Sequence, residues 1–134
     1  MDIKIGEFVL YSRNPVSLFQ FLSNVFEVQA DVVVDQTIKF NLSGVSFLIV
    51  KTELDIAAEN YFSLMVGCVS ELKELAQTIE FYYFRTHCTD KTVELCDRVL
   101  TFTDPDGRKW TVKEKFFEPF QVTTEHQLLD VRNC

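Results

Sequence analysis

One order of elements occurs twice, and it restricts the fold more than any single motif. Residues 7–12 alternate, with Phe8 and Leu10 pointing one way and Glu7, Val9 and Tyr11 the other, as in a strand. Asn14-Pro15 then supplies a helix cap and a proline suited to the first helical position. Leu18, Phe19, Leu22, Val25 and Phe26 follow at helical spacing. Three further strands are predicted over residues 28–34, 37–42 and 45–51, the last two joined by a turn at Ser43-Gly44. After a more polar connector over 52–60, the order begins again. Residues 61–68 alternate, Ser70 is the expected cap, and Leu72, Leu75, Ala76, Ile79 and Tyr83 form a helical stripe. A polar loop over 86–90 leads to strands over 91–95, 98–103 and 109–115. This is a repeat of order rather than of letters. It predicts an α+β fold of two β-α-β-β-β modules, about residues 5–51 and 61–115, within one domain spanning 1–115. Residues 116–134 are a C-terminal extension.

The last hairpin is the sharpest local signal. Phe102 ends an apolar run, and Asp104-Pro105-Asp106-Gly107 is a turn with a mechanism: proline presets φ and glycine accepts positive φ. Trp110 and Val112 then alternate with Thr111 and Lys113. Sorting all strands by alternation gives one almost wholly apolar set, including Phe8, Phe40, Phe47, Phe62, Phe102 and Trp110, expected beneath the helices. The opposite set is mixed. It contains Glu7, Tyr11, Lys39, Leu48, Tyr61, Met65, Thr101, Lys109, Thr111 and Lys113. A sheet covered on one face and mixed on the other fits a half-open barrel with a lined cleft. No parallel strand pairs are expected in it. The thirteen Phe are read mainly as core.

A formal charge of −7 argues against nucleic acid or an anionic membrane as partner. No apolar run approaches the ~18 residues of a spanning helix, and the charged N-terminus lacks a signal peptide's apolar stretch. Cys68, Cys88, Cys96 and Cys134 form no C-x-x-C pair, so the expectation is a cytoplasmic protein with reduced thiols. Phe116, Phe117, Phe120, Leu128 and Leu129 give the extension more apolar area than two modules need, and predict packing on the domain or in a homodimer.

The Asp-Pro-Asp-Gly hairpin, the helix start after the first strand and the doubled module together resemble the glyoxalase / bleomycin-resistance / dioxygenase group, the vicinal oxygen chelate superfamily, over about residues 5–115. The resemblance implies a glyoxalase-like fold and commonly a homodimer. It also implies four metal-ligand positions, on the first and last strand of each module, which fall here on Glu7, Leu48, Tyr61 and Thr111. The family usually has His, Gln or Glu there. Of these four, Glu7 alone suits a divalent cation, which wants several carboxylate or imidazole ligands at once.

Other chemistry is thin. There is no G-x-S-x-G elbow, P-loop or Rossmann glycine pattern. His87 and His126 read as ordinary surface residues, and Cys68 as a buried or inert thiol near a helix start. Glu7 reads as paired with Lys39 or Lys113, or else as half of an acid/base pair with Tyr61. The sequence therefore predicts a small-molecule binder with no metal and no cofactor. Its expected ligand-binding cleft is formed by Glu7, Tyr11, Leu48, Tyr61, Met65, Thr101, Thr111 and Lys113. The alternatives are a metal-independent lyase or isomerase using Glu7 and Tyr61, and a diverged structural or interaction protein.

Overall fold

In the computed structural model, which describes residues 1–4, 6–54 and 63–115, the first helix begins where Asn14-Pro15 places it. The Asn14 side-chain oxygen accepts from the Ser17 N–H at 3.2 Å, and proline fills the first turn of α1 (Pro15–Phe26). Glu27 closes the helix in the left-handed conformation, φ 57°. The chain divides into two units, Met1–Ala58 and Glu59–Cys134.

In the first unit, β1 (Phe8–Ser12), β2 (Ala30–Val34), β3 (Thr37–Leu42) and β4 (Val45–Lys51) form one sheet in the order β1-β4-β3-β2. The helix lays Leu18, Phe21, Leu22 and Val25 on the face carrying Leu10, Ile38, Phe40, Phe47 and Ile49, all buried. Phe40 and Phe47 are directly opposite and stacked at 5.2 Å. Each such side chain contributes about 1.5–3 kcal/mol on burial, an upper figure because unfolded chains already hide some area. The β3–β4 turn is the expected Ser43-Gly44, both residues at positive φ, with Asn41 Oδ1 accepting from the Gly44 N–H at 2.9 Å.

The second unit repeats this with β5 (Leu64–Val66), α2 (Val69–Arg85), β6 (Val93–Cys96), β7 (Val99–Thr103) and β8 (Lys109–Glu114), in the order β5-β8-β7-β6. Leu72, Ala76, Ile79 and Tyr83 of α2 are buried, as are Leu100, Phe102, Trp110 and Val112 of the sheet. Phe102 and Trp110 stack across β7 and β8 at 6.2 Å. Tyr83 donates its hydroxyl to the Thr103 carbonyl at 2.6 Å.

The Asp-Pro-Asp-Gly turn is held from inside. Asp104 is completely buried and Arg108 is 2% exposed. Asp104 Oδ1 accepts from the Asp106 and Arg108 backbone N–H groups at 2.9 and 3.0 Å. Its Oδ2 accepts from Arg108 Nη1 at 2.8 Å and Trp110 Nε1 at 3.0 Å. Burial pushes the Asp104 carboxyl up, opposed by the Arg108 guanidinium and the Trp110 hydrogen bond. Gly107, at φ 88°, lets the turn close.

Several expectations are corrected. Each sheet contains one parallel pair, β1 with β4 and β5 with β8. The crossover through α1 returns the chain so that β2 runs with β1; two antiparallel steps then leave β4 running with β1 as well. Phe8 belongs to the helix-side set by alternation but is 43% exposed, because it opens an edge strand; its ring still lies 5.7 Å from Phe47. The α2 cap is Cys68, not Ser70. Cys68 is extended, its carbonyl accepts from the Glu71 N–H, and Ser70 lies within the first turn. Cys68 is exposed rather than buried, and Cys88 is also free. Cys96 is disulfide-bonded, so the expectation of reduced thiols fails there. Phe62 and the extension 116–134 lie outside the described residues.

Candidate functional site

Each sheet has one face covered by its helix and one open face, and alternation decides which side chains reach the open one. On the first sheet, the register sets Val9, Leu48 and Lys39 in one row and Tyr11 beside Val50. Glu7 immediately precedes β1, and its carboxylate pairs with Lys39 Nζ at 3.6 Å. Both groups are partly exposed, so the pair is worth at most about 1 kcal/mol. Leu48 is half-buried and Tyr11 exposed.

On the second sheet, Thr101 faces Thr111, Val99 faces Lys113 and Thr103 faces Lys109 across β7 and β8. Met65 stands beside Lys113 from β5, and Glu94 beside Thr101 from β6. Thr101 and Thr111 are half-buried, while Met65, Lys109 and Lys113 are exposed. The open face therefore offers two facing hydroxyls between two ammonium groups, with a thioether at one edge.

The structure thus brings Glu7, Tyr11 and Leu48 to one open face, and Met65, Thr101, Thr111 and Lys113 to the other. Tyr61 lies outside the described residues, as does His126; His87 is an exposed residue following α2, at φ 59°. Lys109 belongs to the mixed set read from sequence but not to the expected cleft, and Glu94 belongs to neither, although its pairing sets it beside Thr101. Asp104 and Arg108 were not recognised as a buried pair. The available signal was an acid and a base four residues apart inside a hairpin whose flanking strands are apolar.

The donor set does not fit a divalent metal at the positions that this fold family implies. A cation at Glu7 would have to displace the Lys39 ammonium. Leu48 offers a hydrocarbon, and Thr111 a neutral hydroxyl. Among the described residues, no three His, Cys, Asp or Glu side chains are grouped to hold a metal ion. No helix among the described residues is long and apolar enough to cross a membrane.

No protein-family model and no curated protein matches the sequence. Solved structures do match the fold. The fosfomycin resistance protein FosX from Listeria monocytogenes, in a mutant form complexed with manganese(II) and a dihydroxypropylphosphonic acid, superposes with a TM-score of 0.68 at 14% identity, covering 96% of this chain and 97% of that one. FosX from Mesorhizobium loti gives 0.65 at 14% identity, covering 96% and 99%. Lactoylglutathione lyase from Agrobacterium tumefaciens gives 0.64 at 16% identity, covering 84% and 93%. At these identities the likeness establishes the fold. It is glyoxalase-like: α+β, with two four-stranded mixed sheets and two helices among the described residues.

Proposed function

We propose that this chain, with its vicinal oxygen chelate fold, binds a small organic molecule against its open sheet faces without a metal ion. The observation that carries the reading is the replacement of donors: Glu7 is engaged by Lys39, and Leu48 and Thr111 stand at two of the positions where relatives of this fold hold ligands. The side chains on these faces suit a ligand with an apolar body and hydrogen-bonding groups. On the first face Val9 and Leu48 offer hydrocarbon surface beside the Lys39 ammonium; on the second, Met65 offers a thioether beside the hydroxyls of Thr101 and Thr111 and the charge of Lys113. A contribution from Tyr61 is part of this proposal, as are a homodimer and a cytoplasmic location. The Glu7–Lys39 pair weighs against a metal-independent lyase or isomerase with Glu7 as base, since the Glu7 carboxylate already has the Lys39 ammonium as its partner.

Thermal-shift screening of the full chain against divalent metals and a panel of small organic metabolites tests the reading. A ligand at a hundred times its Kd stabilises the folded state by about 2.7 kcal/mol. Stabilisation by organic compounds, and not by metals, is the expected result. Stabilisation by a transition metal that is lost in Glu7→Ala would overturn it.

A further inference from the structure

The outer strand of the first sheet is unusual for an edge. All five residues of β2 are exposed, and Val32, Val33 and Val34 are 49%, 60% and 59% exposed. They lie on both faces: Val32 and Val34 pair with Lys39 and Thr37 on the open side, and Val33 with Ile38 on the helix side. Three consecutive β-branched residues suit a strand with neighbours on each side. An edge strand also directs a row of backbone N–H and C=O groups outward, ready to pair with another strand.

Edges of this kind are commonly guarded by lysine. Here the flanking charges are acidic. Asp31 sits at the register shift between Ala30 and Val32, and Asp35 opens the β2–β3 turn at φ 55°. No lysine or arginine occurs between Arg13 and Lys39 in the sequence. This charge pattern selects the occupant. A second copy pairing antiparallel about Val33 would set Asp31 opposite Asp35 twice, and like charges directly opposite destabilise a sheet. A strand with a basic residue near each end meets the same positions favourably.

We propose that the β2 edge docks an extended segment of a partner protein, an apolar β-branched stretch with lysine or arginine near each end, by strand addition. The site is separate from the open-face positions proposed for the small molecule.

The test titrates the full chain with two synthetic peptides of alternating valine and threonine, one ended by lysines and the other by glutamates, followed by backbone amide NMR. The lysine-ended peptide should shift the amides of residues 30–34. The glutamate-ended peptide should bind at least about tenfold more weakly. Asp31→Lys with Asp35→Asn should abolish or reverse that preference; asparagine is chosen because it tolerates positive φ. Circular dichroism confirms that the variant is folded. The proposal is overturned if millimolar lysine-ended peptide leaves residues 30–34 unshifted, or if both peptides bind equally. Self-association of the unaltered chain through residues 30–34 would also overturn it. So would a variant that aggregates while the unaltered chain binds neither peptide, which would make the aspartates guards of the edge and nothing more.

Discussion

Replacing Asp104 by asparagine should be among the most damaging single-atom changes available in this chain. The side chain is fully buried and each of its oxygens accepts two hydrogen bonds, all from N–H donors. An asparagine keeps one oxygen and turns the other into an NH2 group. Either orientation points that NH2 at two donors. It also removes the carboxylate charge 2.8 Å from the Arg108 guanidinium, which is 2% exposed. Removing one partner of a buried ion pair costs about 3–5 kcal/mol, against a total stability of about 5–15 kcal/mol for a domain. With a urea dependence of about 2 kcal/mol per molar, the midpoint should fall by about 2 M. Trp110 is bonded to the same carboxylate, so its fluorescence follows the transition. The companion change is Arg108→Met. Removing the base as well as the acid takes away both members of the buried pair, so the double variant should lose clearly less than the two single losses added together. A loss below about 1 kcal/mol for Asp104→Asn, or strictly additive losses, would refute the argument.

Other expectations follow from the same geometry. Tyr83→Phe removes the hydroxyl bond to the Thr103 carbonyl and should cost about 1 kcal/mol in urea unfolding. Burial, reinforced by the Asp104 charge, raises the Tyr83 phenol well above its usual range, so this group's stabilisation is complete below pH about 10 and is lost as pH rises further, by about 1.4 kcal/mol per unit. Tyr83→Phe should flatten that alkaline slope, and equal slopes in both proteins would contradict it. Gly44→Ala should destabilise by about 1–2 kcal/mol, since φ is 81° while nothing crowds the position; an unchanged melting profile would remove backbone conformation as the reason for glycine there. Elemental analysis of purified protein should find no stoichiometric Zn, Ni, Mn or Fe; about one metal per chain, lost in Glu7→Ala, would reverse the reading of the site. Light scattering should report a dimer for the full chain and a weaker one for a version ending at Lys115. A full chain that stays monomeric at high concentration would dispose of the dimer.

Strand faces were legible because period-two alternation is a local property. Trp110, Phe102, Leu100, Ile49, Phe47 and Phe40 are all where their position in the alternation puts them. Pairing direction was not legible, since it depends on how many times the chain reverses and on which strand the first one rejoins. Phe8 shows the same limit: its face is set by its neighbours in sequence, its exposure by the strand that fails to flank it. The valines of β2 read as an apolar strand, and nothing local says that such a strand stands at the rim. Glu7 with Lys39 was foreseeable because both belong to the mixed set. Cys68 displaced Ser70 as the cap because a helix start follows backbone conformation as well as side-chain preference.

The parallel pairing has a consequence for the order of assembly. The hairpins β2–β3 and β3–β4 join neighbours in sequence, but Phe8 meets Phe47 and Leu64 meets Val112 only after about forty or fifty intervening residues have been brought round. In each unit the first strand thus pairs across the longest sequence separation in its sheet. During synthesis, β1 and α1 emerge before the strand that β1 pairs with, so the first sheet closes only after β4 has been made. The second unit imposes the same wait on β5, whose three residues dock on the strand that follows the Asp104 turn. That turn leads directly into β8, so the strand on which β5 docks takes its anchoring from Asp104.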